Sequence, residues 1–378
     1  MLPGDRVVID VKALGGLIDL LREKGYVVIG PTVRDGAVVC DELRSADELP
    51  SGWTDEQDAG RYRLLRGEGP AVFGHGPGPE SWKKFLHPSV LTLWRARRDV
   101  VGFRIEEDGA APPPLALVGV RACDLAATLV QDRVLAGGAH PDAAYAARRR
   151  GAFVVAVSCT RPGGTCFCAS MGTGPRATSG FDLALTELVD VARHAFLLEV
   201  GTEGGAAVAA ELPHRPAGEP DLRAAEEAIA GAARGMKRAI VTEGLRERLL
   251  AHYEDPRWDE VAKRCLTCGN CTLVCPTCFC FTVEDVADLA GEEAERRRRW
   301  DSCFTVDFSY MHGGSVRTSA AARYRQWLTH KLATWHDQFG VGGCVGCGRC
   351  VTWCPAGIDI TEEAAAVGRG GGEGGKRP

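Results

Sequence analysis

Two stretches of this chain carry the same arrangement of thiols. Cys265-Leu-Thr-Cys268-Gly-Asn-Cys271-Thr-Leu-Val-Cys275-Pro276 and Cys344-Val-Gly-Cys347-Gly-Arg-Cys350-Val-Thr-Trp-Cys354-Pro355 share the form C-x2-C-G-x-C-x3-C-P. Three thiolates at this spacing can wrap one side of an iron–sulfur cubane from a single loop, while the fourth begins a helix that leads away. In two-cluster ferredoxins that fourth cysteine reaches the other cluster. The spacing therefore predicts two [4Fe–4S] clusters, one held by Cys265, Cys268, Cys271 and Cys354, the other by Cys344, Cys347, Cys350 and Cys275. Gly269 and Gly348 free the loop backbone to bring amides close to sulfur. Pro276 and Pro355 remove a donor where the chain must turn. Structural zinc is the alternative, but it closes on four ligands, usually as two separated pairs, and has no use for a compact repeated set of four.

A second constellation precedes these runs. Cys123, in Val120-Arg-Ala-Cys123-Asp, falls where a predicted strand meets a predicted helix, and a helix N-terminus stabilises a thiolate. Cys159 ends the next predicted strand, and the glycine-rich Arg161-Pro-Gly-Gly-Thr-Cys166-Phe-Cys168 follows. Four cysteines at the ends of two neighbouring strands converge, on this reading, on a third [4Fe–4S] cluster. Against it, free cysteine is among the most buried residue types and C-x-C has no standard ligand spacing. Thr165-Cys-Phe-Cys168 is echoed by Thr277-Cys278-Phe-Cys280, which leaves Cys278, Cys280 and Cys303 as rival ligands and Cys40 as a core residue.

The elements that must position these thiols read as α+β. Residues 1–215 form a mixed α/β domain: helical spacing at 11–24, a strand at 26–29 ended by Gly30-Pro31, a strand at 115–120 entering a helix at 124–135 with Asp124 as N-cap, and strands at 153–157 and 195–200. Residues 216–256 read as a linker and bridging helix, the latter over 221–250. Residues 257–365 form a mostly helical two-cluster ferredoxin-like domain, and 366–378 a flexible glycine-rich tail. Within the insert between the two runs, Arg296–Arg299 reads as a solvated helix end. Tyr324, Leu328, Leu332, Trp335 and Phe339 mark an amphipathic helix that is either core or a cover keeping water from a cluster.

Sixteen cysteines in 378 residues are too sparse for a secreted disulfide scaffold and suit an intracellular protein that uses thiolates as ligands. The N-terminus lacks an apolar segment behind a basic one, and no apolar run approaches about 18 residues. A cytoplasmic location with no membrane attachment is expected. A net charge of −5 removes the electrostatic case for nucleic acid or an anionic lipid surface. No G-x-G-x-x-G follows a strand, and there is neither a P-loop nor H-E-x-x-H, so the chain shows no nucleotide site, zinc-activated water or catalytic residue of its own. Tightly spaced clusters without a substrate site describe an electron wire.

The blocks GVRACDL at 119–125, SCTRPGGTCFCASMGTGP at 158–175, GFDLALTEL at 180–188, CLTCGNCTLVCPTCFC at 265–280, WDSCFTVDFSYMHGG at 300–314 and ARYRQWLTHKL at 322–332 together resemble the β subunit of cytoplasmic sulfhydrogenase-type, NAD(P)-linked [NiFe] hydrogenases. The same pattern is similar to the electron-transfer subunit of anaerobic sulfite reductases. The resemblance runs from about residue 115 to 360 and includes blocks without cysteine. It implies an electron-transfer subunit of an oxidoreductase complex, placed between a flavin subunit that reacts with NAD(P)H and the small and large subunits of a [NiFe] hydrogenase. The eight cysteines of the two runs match the family's cluster ligands, and Cys123, Cys159, Cys166 and Cys168 match its N-terminal cysteine blocks. In a sulfite reductase the acceptor would instead be a sirohaem protein. An iron–sulfur redox sensor is the reading from another class, and net acidity with no recognisable DNA-binding helix pair weighs against it. A self-contained enzyme with an open iron site would show an incomplete cysteine set, whereas both runs are complete.

Overall fold

The computed structural model describes residues 1–107, 113–190 and 193–369. The chain is α+β. It begins with β1 (Arg6–Asp10), a helix over Ala13–Glu23 and the antiparallel pair β2 (Val27–Arg34) and β3 (Ala37–Glu42). Two further hairpins follow, β4 (Trp53–Asp58) with β5 (Arg61–Arg66), and β6 (Val90–Asp99) with β7 (Gly102–Glu107). Then come β8 (Leu115–Arg121), the helix Ala122–Gln131, β9 (Phe153–Ser158), β10 (Leu183–Val189), β11 (His194–Val200) and the short β12 (Arg215–Pro216). Eight of these strands form one sheet in the order β12-β1-β11-β10-β9-β8-β2-β3. Its centre, β2, β8, β9 and β10, is parallel. Central parallel strands are covered on both faces and so read as unbroken apolar runs. β9 (FVVAVS) is buried at all six positions for that reason.

The sequence signals at the sheet's margins were overridden by pairing. β2 does not stop at Gly30-Pro31: it runs parallel to β8 through Ile29 and then continues as the hairpin partner of β3, with Pro31 opposite Cys40. Cys40, expected in the core, is half-buried there. β8 bulges between Val118 and Val120 at Gly119, whose φ of +90° suits glycine and where a Cβ would meet Phe73 and Pro31 at 3.0 Å. The following helix starts at Ala122 with Arg121 as its N-cap, so Asp124 sits in the first turn and caps nothing. Its carboxylate is bound to Arg349 instead.

Helical structure over 221–250 is divided into Glu219–Arg234, stopped at Gly235, and Leu245–Ala251. Residues 281–300, where the basic run suggested a helix end, are a β-hairpin of β13 (Phe281–Ala287) and β14 (Glu293–Trp300). The arginines lie on β14 because acidic partners stand across the ladder: Arg296 binds Asp285 at 2.7 Å and Arg299 binds Glu284 at 3.3 Å. β14 also pairs with β6, giving a four-stranded sheet β13-β14-β6-β7 that ties the early chain to the late chain.

The aromatic stripe forms a helix over Ala320–Thr329, widens to a π turn over His330–Thr334 and ends at Phe339. Tyr324, Leu328, Leu332 and Trp335 are buried along it, and Phe339 partly so. Among the described residues no helix is long and apolar enough to cross a membrane. From residue 370 the expected tail lies outside the described residues.

Candidate metal centre

Cys265, Cys268, Cys271 and Cys354 line one cavity together with Cys350, Phe304, Tyr324, Trp327, Ile358 and Ile360. The loop from Cys265 to the short helix Asn270–Leu273 turns at Gly269, whose φ is +73° and where a Cβ would fall 2.9 Å from Ser302 Oγ. Only glycine accepts both constraints. Thr267 N–H donates to Cys265 Sγ and Ile358 N–H to Cys354 Sγ, each at 3.4 Å. The cavity opens toward solvent at exposed Cys268 and at Leu266, which is 66% exposed. Burial, then the neighbouring thiols, push Cys271 well above the ordinary thiol range, so metal entry would have to release protons.

The fit to an iron–sulfur cluster is visible in the lining. Tyr324 Oη and Trp327 Nε1 both border this cavity, both are buried, and neither has a hydrogen-bond partner. Buried donors left unpaired cost about 1–3 kcal/mol each, and the sulfides of a cubane would accept from them. A zinc ion would need its sulfurs at one point. Among the described residues no three His, Cys, Asp or Glu side chains come close enough to share a single ion; the thiols ring a volume instead.

The second set gathers around Lys331, in the π turn. Its Nζ lies 3.3 Å from Cys275 Sγ, 3.1 Å from Thr277 Oγ1 and 3.0 Å from Gly343 O, with the residue only 2% exposed. Burial opposes the ammonium charge, but the thiols of Cys275, Cys278, Cys344 and Cys350 hold its pKa well above the ordinary lysine value. Cys344, Cys347 and Cys350 each feel Cys275. The neighbouring Cys278 thiol, then the charge of Lys331, hold Cys275 well below the usual thiol range against its burial. Cys350 also feels Cys271, which brings the two sets within electrostatic reach of each other.

The N-terminal cysteines also pack against the second run. Cys123 is in the first helical turn after β8, Cys159 directly follows β9, and Cys166 and Cys168 belong to the loop beyond it. That loop seats on the second run: Phe167 N–H donates to Gly346 O at 2.8 Å, and Thr173 Oγ1 to Val345 O at 2.7 Å. At Gly348, φ +77°, a Cβ would lie 2.5 Å from Thr165 O. Cys123 and Cys168 pack with Val345 and Cys347 in one buried cluster. Cys166 and Cys168 both feel Cys159, and Arg121 Nη1 lies 3.6 Å from Cys159 Sγ. The thiolate expected at the helix start is not favoured: burial, then Asp124, pushes Cys123 well above its ordinary value.

Three functional features escaped the sequence reading. Lys331 carried no motif. The bidentate pair Arg349–Asp124, at 2.8 and 2.9 Å with both residues 3% exposed at the side chain, joins residues that are distant in sequence. Ser302-Cys303-Phe304 stands to Gly269 as Thr165-Cys166-Phe167 stands to Gly348: in each case the hydroxyl residue fills the space over the motif glycine and the phenylalanine, 1% exposed, enters the core around the helix Ala320–Thr329. The repeated hydroxyl-Cys-Phe triplet was the signal that could have found it.

Residues 264–358 match the family model described as a 4Fe–4S dicluster domain. Over 342 residues, 90% of this chain and 91% of the relative, the sequence is 37% identical to sulfhydrogenase 2 subunit beta of Pyrococcus furiosus. No solved structure matches the chain.

Proposed function

Because the chain belongs to the family of sulfhydrogenase beta subunits, we propose that it is the iron–sulfur electron-transfer subunit of a cytoplasmic NAD(P)-linked [NiFe] hydrogenase, relaying electrons between a flavin-bearing partner and the nickel-bearing subunits. The reading has Cys265, Cys268, Cys271 and Cys354 hold one [4Fe–4S] cluster, Cys344, Cys347, Cys350 and Cys275 a second, and Cys123, Cys159, Cys166 and Cys168 a third. When bound, these groups supply one-electron carriers. The observation that carries the proposal is the serial order of the thiol sets: Cys347 adjoins the N-terminal set, Cys350 reaches toward Cys271, and the last set meets solvent at Cys268 and Leu266.

The chain's own residues do the remaining work. Tyr324, Trp327 and Phe304 exclude water from the first cavity while presenting two donors to it. Lys331 places a fixed positive charge against Cys275, and a cation there stabilises the more negative, reduced form of whatever the thiolates hold. Lys331→Met is expected to lower the reduction potential of the cluster beside it by tens of millivolts, about 60 mV for each tenfold change in a one-electron equilibrium, while the Cys265 set shifts less. Potentiometric EPR of both clusters checks this, and equal shifts in both would contradict it.

The third set predicts about 12 irons per chain, against about 8 for two cubanes alone. Replacing Cys123, Cys159, Cys166 and Cys168 together by serine should therefore remove about a third of the iron. Full iron content in that variant would refute the third site. The functional reading is tested by anaerobic purification of the native complex with its components identified by mass: a flavoprotein and a nickel-bearing large subunit are expected. A sirohaem partner in their place would assign the chain to a sulfite reductase.

A further inference from the structure

Arg121 closes β8 and directly precedes the helix that carries Cys123. Across the parallel ladder it stands beside Val157, two residues before Cys159, and its Nη1 reaches Cys159 Sγ at 3.6 Å. Its Nη2 donates to Phe73 O at 3.0 Å and to His75 O at 2.8 Å. Those carbonyls are held in place through the amides of the same segment: the Glu187 carboxylate accepts from the N–H groups of Val72 and Phe73, and Asp55 accepts from the Gly76 N–H. The guanidinium is therefore fixed, and the residue is only 4% exposed. Among the described residues no carboxylate pairs with it. Glu187 and Asp55 are engaged by those amides and by His194 and Arg161. His75 brings no charge either: its Nδ1 lies 2.9 Å from Gly76 O, and burial, then Arg121, lower its pKa to about 3. Arg349 and Arg298 are as buried, but each has its own carboxylate, Asp124 and Asp142.

A buried cation without an anion is costly unless something negative is brought beside it. The one contact of Arg121 that is not already a satisfied backbone or ring acceptor is the sulfur of Cys159. We propose that Arg121 is the counter-ion of the N-terminal metal centre: it donates to Cys159 Sγ and offsets the net negative charge of a [4Fe–4S] cluster held by Cys123, Cys159, Cys166 and Cys168. Four thiolates leave a cubane net negative in both oxidation states, and an added electron makes it more so. A fixed positive charge against one ligand sulfur therefore favours the reduced form and raises the reduction potential. The electron enters without a proton, because a guanidinium stays charged throughout. Lys331 stands in the same relation to Cys275, where its other acceptors are likewise uncharged oxygens. A merely structural tie between β8 and residues 73–75 would need the hydrogen bonds of Arg121 but not its charge, and that difference can be measured.

This role rests on the proposed third cluster. The test uses the full chain, purified anaerobically with its clusters, and potentiometric EPR in which the N-terminal signal is identified as the one missing from the quadruple serine variant. Arg121→Met is expected to make that cluster at least tenfold harder to reduce, a fall of about 60 mV or more, while the signals of the other two clusters move less. Arg121→Lys, which restores the charge, is expected to bring the potential back toward that of the parent. Loss of about four irons from Arg121→Met with retention in Arg121→Lys would equally support a counter-ion. An unchanged potential in Arg121→Met, equal shifts in all three signals, or the same loss of iron in both variants would make Arg121 a structural tie and overturn the proposal, leaving the third cluster standing where its iron is present in the parent. A parent chain with about 8 irons and two EPR signals would instead remove the third cluster, and the counter-ion with it.

Discussion

Replacing Cys275 by serine is expected to cost the chain the cluster whose other thiolates come from Cys344, Cys347 and Cys350, although Cys275 belongs in sequence to the first run. The expectation follows from where the chain goes after Cys271. The short helix Asn270–Leu273 carries Cys275 away from the first cavity, which Cys350 and Cys354 of the second run line instead, and delivers it to Lys331 beside Gly343, directly before Cys344. The reciprocal variant, Cys354→Ser, should strip the set formed by Cys265, Cys268 and Cys271. Each loss amounts to about four irons per chain, and reduced-state EPR should lose the signal of the run that does not contain the mutated cysteine. A change confined to the mutated residue's own run would reverse the assignment. Cys278 tightens the test. It follows Cys275 by three residues and its thiol acts on that of Cys275, so Cys275→Ser with Cys278→Ser should abolish any residual binding left in the single variant.

What the sequence made legible here and what it hid have separate physical causes. The two cysteine runs were legible because ligand spacing within one loop is a local property, and so was the buried centre of the large sheet, where both faces demand apolar residues. β9 shows this directly, with FVVAVS buried throughout. Partners brought from far along the chain were hidden. The run Arg296–Arg299 looks like a solvated helix end until Asp285, Glu284 and strand β6 are laid beside it. Asp124 has the residue type and position of an N-cap, but Arg349, 225 residues later, claims its carboxylate. Lys331 reads as one more polar residue on an amphipathic helix, and only the widened turn over His330–Thr334 directs it at Cys275. Such π turns recur at functional positions because they re-aim a side chain within an otherwise regular helix.

Asp124→Ala is expected to destabilise the chain by about 3–5 kcal/mol, the range for removing one partner of a buried ion pair. Arg349 lies between Gly348 and Cys350 in the second run, and its Nε reaches Gly78 O and Glu80 O at 3.1 Å while both terminal nitrogens bind Asp124. One guanidinium thus clamps the thiol loop to the helix that carries Cys123 and to the segment before β6. Alanine would leave a full positive charge in a site shut off from water, with two carbonyl oxygens as its remaining acceptors. The cost comes from that stranded charge more than from the pair itself, since apolar replacement of both partners is often nearly neutral. Asp124→Leu combined with Arg349→Met should accordingly recover much of the stability lost in Asp124→Ala, yet still loosen the loop that holds Cys347 and Cys350. Anaerobic denaturant unfolding of the cluster-loaded chain measures the first effect, and iron release by a chelator measures the second. If both variants stay within about 1 kcal/mol of the parent and hold iron equally well, the clamp contributes nothing and the N-terminal cysteine loop alone seats the second run.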